Sequence, residues 1–139
     1  MTESIRVYVD MVGDLFHAGH VALLRAAREL GDELVVGVLS DATVAAYKRQ
    51  PIMTLAERVA VIEACRYVDE VVPDAPNRLT PEFLEEHRLA LVVHGDDVDP
   101  SAAADVYGAA VDAGMLRLVP RTGEISTTDL IARVRSRPG

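Results

Sequence analysis

Five short runs rich in β-branched residues alternate with helical patterns along this chain, and that alternation leaves few architectures open. The runs occupy residues 5–9, 33–39, 68–72, 89–93 and 115–119. The fourth, Leu-Ala-Leu-Val-Val, is apolar without a break, as expected of a strand buried on both faces. Helical patterns cover 21–30, 40–47, 54–67, 80–88, 101–113 and 126–135. Ser40, Thr54, Thr80 and Ser126 each stand where a hydroxyl can accept from the free N–H groups of a first helical turn, with Glu57 and Asp129 completing the spacing of a capping box. Gly31 and Gly114 close helices, and Pro51 keeps 48–53 a loop. Strands that alternate with helices pair in parallel through right-handed crossovers. The expectation is a single α/β domain, 1–139, on a doubly wound, five-stranded parallel sheet. With 139 residues such a domain can bury about two-thirds of its surface.

In sheets of this kind ligands bind beyond the carboxyl ends of the strands, near the point where strand order reverses. The loops at that end are 11–20, 40–53, 94–101 and 120–128, and they hold the least ordinary residues of the chain. Asp10-Met-Val-Gly-Asp-Leu-Phe-His-Ala-Gly-His20 leaves the first strand and runs straight into a helix. Such a glycine-bearing turn leaves free N–H groups and the positive end of the helix dipole facing a possible phosphate. His17 and His20 lie three apart across Ala18-Gly19, so both rings can face one ligand as donors. Lys48 is the one lysine against thirteen arginines.

The formal net charge of −8 argues against a general nucleic-acid binder, so an anion must be held by local donors. Neither the P-loop nor the dinucleotide fingerprint occurs. Cys65 is alone, which removes disulfides and paired-cysteine metal sites, and it reads as a buried small hydrophobe. No apolar run reaches the roughly 18 residues of a membrane span, and no basic-then-apolar leader opens the chain. The expected location is the cytoplasm, with neither membrane nor nucleic acid as partner. Asp14, His17 and His20 could hold zinc with one position open, or simply cap a helix. No cysteine or further histidine extends the set, and no metal ligand is assigned.

His17-Ala-Gly-His20 resembles the HxGH signature of the nucleotidyltransferase superfamily. Arg66-Tyr-Val-Asp-Glu-Val-Val-Pro73, His94-Gly-Asp-Asp97 and Arg121-Thr-Gly-Glu-Ile-Ser-Thr-Thr128 resemble cytidylyltransferase segments in order and spacing. The last is similar to the R-T-x-G-I-S-T-T signature that separates cytidylyl- from adenylyl-transferring relatives. The similarity runs from Val7 to about Arg133 and is greatest towards enzymes acting on ethanolamine phosphate, glycerol 3-phosphate and phosphonates. It implies a Rossmann-like fold, CTP as donor, Mg²⁺ as cofactor and a homodimer. It also implies that His17 and His20 donate to the triphosphate and to charge developing on the α-phosphate, with Lys48 and Arg121 at the phosphates. Val12, Gly13, Asp14 and Gly19 would surround the nucleotide, and His94, Gly95, Asp96 and Asp97 would line the cytidine pocket. Ser126, Thr127 and Thr128 would hold phosphate, while Arg49, Arg58, Arg66 and Arg78 would serve the acceptor.

The chain departs from the family pattern at Met11 and Gly13, where a glycine and an aromatic are usual, at Ala46, where a second lysine is usual, and at Glu124, with Gly123 one place early. The reaction implied is in-line attack of an acceptor phosphate or phosphonate oxygen on the α-phosphorus of CTP, with pyrophosphate leaving. The attacking group is already anionic, so positioning and charge stabilisation suffice. Among acceptors a small phosphonate is favoured. The chain has too few aromatics for a choline cage, and Asp10-Met11 and Tyr47-Lys-Arg-x-Pro51 look most like the phosphonate group. Ethanolamine phosphate and glycerol 3-phosphate are the alternatives. A non-catalytic nucleotide sensor is the reading from another class.

Overall fold

The computed structural model describes residues 4–120 and 125–138. Its strands are β1 (Arg6–Met11), β2 (Glu33–Val38), β3 (Glu70–Pro73), β4 (Leu91–Gly95) and β5 (Leu116–Val119). Its helices are α1 (Ala18–Arg28), α2 (Asp41–Ala45), α3 (Leu55–Glu63), α4 (Pro81–Glu86), α5 (Pro100–Val106), α6 (Gly108–Asp112) and α7 (Thr127–Ser136). The strands form one sheet in the order β3-β2-β1-β4-β5, with every neighbouring pair parallel. The doubly wound α/β expectation therefore holds.

The central strand β1 is buried at all six residues. Because successive side chains point to opposite faces, it serves two cores. Val7, Val9 and Met11 pack with Leu24, Ala27 and Ile62 of α1 and α3. Tyr8 packs on the other face with Phe83, Leu84, Tyr107 and Ala110. Strand order reverses between β1 and β4, since β1 leads into β2 on one side and receives β4 on the other. The crevice beyond their carboxyl ends is where a ligand site is expected.

Charge closes the opposite end of the sheet. There Arg6 bridges Glu33 at 2.5 Å and Glu70 at 3.3 Å, and donates from Nε to the His87 carbonyl at 2.8 Å.

The elements differ from the sequence pattern at three informative places. Helix α1 begins at Ala18 rather than 21, because His17 itself caps it. Strand β4 runs on through His94 and Gly95, which pair with Leu118 and Val119 of β5. The helix expected over 101–113 is broken at Tyr107 (φ −106°, ψ 16°), whose ring turns into the core. Cys65 lies just past the end of α3, partly buried against the core. Among the described residues no helix is long and apolar enough to cross a membrane.

Candidate active site

The two histidines form a capping box. Gly19 N donates to His17 Nδ1 at 3.0 Å, and His17 N donates to His20 Nδ1 at 3.1 Å. Each Nδ1 is thus an acceptor, which places the ring proton of both neutral histidines on Nε2. The capping reading and the ligand-facing reading are therefore compatible, one nitrogen serving each. Thr127 Oγ1 donates to the Asp14 carbonyl at 3.1 Å and lies 3.4 Å from His17 Nε2, where its lone pair can accept that proton. Gly19 is required by close approach: a Cβ there would lie 2.8 Å from both the His17 ring and the Ile125 carbonyl.

Around these rings lies a cavity of about 370 Å³. His17, Gly19, His20, Lys48, Arg49, His94, Gly95, Asp97 and the Ser126–Thr128 start of α7 line it. Ser126 caps α7 through a box with Asp129, so the N–H groups of that helix also face this space. The cavity combines two imidazole donors, two flexible cations and a helix N-terminus. That set suits a polyphosphate.

Lys48 and Arg49 sit on an exposed loop between α2 and α3, and two buried staples hold its far end. Asp14 accepts from Ile52 N at 2.8 Å and from Met53 N at 2.9 Å. Arg58, fully buried, donates to the Met53 carbonyl at 3.1 Å, to those of Val12 and Leu39 at 2.7 Å each, and to the Asp41 carboxylate. Leu15, at φ 49°, donates its N–H to Met53 Sδ at 3.2 Å. The histidine turn and the lysine loop are thereby built as one unit. Gly13, buried at φ +68°, completes it, since a Cβ there would meet Ile62 Cδ1 at 2.6 Å.

A second cavity, of about 530 Å³, opens from the first through His20, Leu23, Lys48 and His94, which line both. Its distinctive lining is Asp10, Tyr47, Asn77, Val98 and Tyr107. Asp10 ends β1 with a carboxylate only 8 % exposed, and Tyr107 donates to its Oδ1 at 2.6 Å. Burial pushes the Asp10 carboxyl up from the ordinary range, opposed by the Tyr107 hydrogen bond and by His94.

Most of the expected site residues converge here. His17, His20, Lys48, Arg49, Gly19, His94, Gly95, Asp97, Ser126, Thr127 and Thr128 line the phosphate cavity. Val12, Gly13 and Asp14 border a smaller adjoining space of about 160 Å³. Asp14, expected at the nucleotide or in a zinc set, has its carboxylate committed to backbone amides. Among the described residues no group of three or more such side chains is arranged to hold a metal. Asp96 is exposed, with its N–H bound to the Val119 carbonyl, and lines neither cavity.

Three expected acceptor-binding arginines are elsewhere. Arg58 is buried beneath the loop. Arg66 is exposed beyond the end of α3, towards the amino end of the sheet, and lies over Tyr67. Arg78 is exposed and paired with Asp105. Arg121, Gly123 and Glu124 lie outside the described residues. The sequence reading missed Asp10 and Tyr107 as site residues. The available signal was a carboxylate ending an otherwise apolar strand, and an aromatic followed by glycine inside a helical pattern.

His20 has its pKa lowered from 6.5 to about 4, first by burial, then by the neighbouring His17 and by Lys48, with Asp14 opposing. It is neutral near pH 7, as the Nε2–H donor requires. Folded His20 resists a proton that the unfolded chain accepts, so its contribution to stability is intact above about 6.5 and is lost as pH falls towards about 4. Asp10, shifted upwards, acts in the opposite sense. Thermal unfolding of wild type and His20→Gln between about pH 7.5 and 4.5 isolates the histidine. The wild type is expected to lose the larger part of its melting temperature on acidification.

A family model described as cytidylyltransferase-like matches residues 13–133. The chain belongs to the cytidylyltransferase-like family. Among curated relatives, it is similar to an ethanolamine-phosphate cytidylyltransferase of Dictyostelium discoideum, at 45% identity over 95% of this chain and 37% of the relative. It is also similar to choline-phosphate cytidylyltransferase A of Mus musculus, at 47% identity over 94% and 36%. This cytidylyltransferase-like chain thus spans little more than a third of the length of either. A crystal structure of a lipopolysaccharide core biosynthesis protein from Thermoplasma volcanium shares the fold, with a TM-score of 0.69 and 25% identity over 89% of this chain and 100% of that one. Both curated relatives carry the names of amino-alcohol phosphates. They lend no support to the phosphonate preference drawn from Asp10-Met11 and the Tyr47–Pro51 segment.

Proposed function

We propose that this chain transfers the cytidylyl group of CTP to ethanolamine phosphate and releases pyrophosphate. The observation that carries the reading is the continuity of the two cavities at His20 and Lys48. One is furnished for phosphates, the other with a buried carboxylate and polar neighbours. An acceptor with a phosphate at one end and an ammonium at the other matches both at once. Tyr47 and Tyr107 are the tyrosines of the second cavity, and Asn77 adds a carbonyl acceptor. An ammonium with N–H groups can use those acceptors, whereas a quaternary ammonium depends on aromatic faces. A plain phosphonate leaves Asp10 without a partner.

In the reaction an oxygen of the acceptor phosphate forms a bond to the α-phosphorus. The bond from that phosphorus to the bridging oxygen of the β-phosphate breaks, and pyrophosphate leaves with the electron pair. No proton need be removed from the attacking anion. The Nε2–H groups of His17 and His20, the Lys48 ammonium and the N-terminus of α7 stabilise charge on the transferring and leaving phosphates. Mg²⁺ would neutralise phosphate charge. Asp97, the carboxylate among the described residues that line the phosphate cavity, fits the pattern of one protein carboxylate supplementing phosphate and water ligands.

The test is pyrophosphate release with CTP or ATP across ethanolamine phosphate, choline phosphate, glycerol 3-phosphate and a short alkylphosphonate. CTP with ethanolamine phosphate is expected to give the highest kcat/KM. A higher value for another acceptor replaces the acceptor assignment and leaves cytidylyl transfer standing, whereas a preference for ATP replaces the donor. Nucleotide binding without pyrophosphate release under any pairing establishes a sensor instead.

A further inference from the structure

The break between α5 and α6 has no cause in its own segment. Nothing lies within 4 Å of where a Cβ on Gly108 would sit, and helical hydrogen bonding resumes immediately, from Val111 N to the Tyr107 carbonyl at 2.9 Å. What the break achieves is to turn Tyr107, 5 % exposed, inwards, so that its hydroxyl meets Asp10 Oδ1 from 97 residues away. The His94 ring stands 5.3 Å from that of Tyr107, so the tyrosine is held between core and cavity.

We infer that Tyr107 is a positioning residue for acceptor selection: it fixes the Asp10 carboxylate so that the second cavity accepts zwitterionic phosphates carrying an N–H ammonium and discriminates against uncharged ones. This rests on the acceptor reading above. Two properties of the pair support it. A hydroxyl has one proton, and giving it to Oδ1 fixes the carboxylate plane while Asp10 still lines the cavity. A buried carboxylate also tends towards its neutral form, and a donor hydrogen bond opposes that tendency. Removing the hydroxyl frees the carboxylate to turn and to take a proton, and both changes weaken its hold on an ammonium. The phosphate cavity contains neither residue among its described lining, so CTP should be indifferent to the change.

The experiment compares the full chain with Tyr107→Phe and Asp10→Asn, scoring kcat and KM for ethanolamine phosphate against glycerol 3-phosphate, with direct calorimetric titration of each acceptor as a readout independent of turnover. Wild type is expected to prefer ethanolamine phosphate, and Asp10→Asn to lose that preference. Tyr107→Phe is expected to raise KM for ethanolamine phosphate about tenfold or more, the size of a hydrogen bond to a charged group. Its kcat and its KM for CTP should move less than about twofold. A merely structural tyrosine would change both acceptors alike. If Asp10→Asn loses the preference while Tyr107→Phe keeps it, the inference falls and the acceptor reading stands. If wild type shows no preference, both fall. Should Tyr107→Phe not fold, the question passes to wild type, where the ¹³Cζ resonance of Tyr107 is expected to shift on binding ethanolamine phosphate and not glycerol 3-phosphate. Equal responses to the two overturn the inference.

Discussion

Replacing His17 or His20 by asparagine is expected to lower kcat by about 10²–10³-fold with little change in melting temperature. The two ring nitrogens do different things, and the amide side chains can separate them. Asparagine places its oxygen near the position of Nδ1, so it can still accept from Gly19 N or His17 N and keep the helix capped. It has nothing where Nε2–H stood. Glutamine does the reverse, offering an N–H near Nε2 and abandoning the cap, at about 1 kcal/mol. The glutamine variants should therefore retain more activity than the asparagine variants and melt lower. Steady-state kinetics and thermal denaturation of the four proteins provide the check. If asparagine proves as active as wild type, the histidines are caps and nothing more.

Arg58→Leu is expected to destabilise the fold by about 3–5 kcal/mol, a large share of a typical domain's stability. The buried guanidinium satisfies three backbone carbonyls, those of Val12, Leu39 and Met53, together with the Asp41 carboxylate. A leucine of similar reach fills space and leaves those acceptors without donors, which is the costly case. Lysine offers no planar fork and should recover little. Denaturant unfolding measures the loss directly. What remains folded should also bind CTP more weakly, because Lys48 and Arg49 depend on the same staple. A change below about 1 kcal/mol would show that the four contacts are not made as described.

The arginines also mark where sequence reading reaches its limit. Arg49, Arg58, Arg66 and Arg78 all sit near loops or helix ends, and nothing local distinguishes them. Whether an arginine meets a ligand or a set of waiting carbonyls depends on segments 5, 19 or 46 residues away, as at Arg58. The sheet was legible because its signal is local and repeated: continuous apolar runs, caps and stops. The histidine pair was legible because its spacing spans one turn of helix. The start of α1 was placed late because histidine is not a usual capping residue, although here two imidazoles act as one. The Tyr107 break was hidden because its partner, Asp10, lies on the central strand. Asp10 itself passed for the polar end of a strand, since burial of its carboxylate depends on helices that come much later in the chain.

The staple and the chamber it serves are separated in order of synthesis. Asp14, Ile52, Met53 and Arg58 are all available once the first 58 residues have emerged, so the turn and its lysine loop can be tied together early. The opposite wall comes last. Tyr107 must cross 97 residues to reach Asp10, and Thr127 must cross 113 to reach Asp14. Because chains emerge from the amino end, the growing polypeptide carries its phosphate-binding turn long before it has a place to enclose a substrate. Competence for chemistry therefore arrives as one of the last events in the making of the molecule.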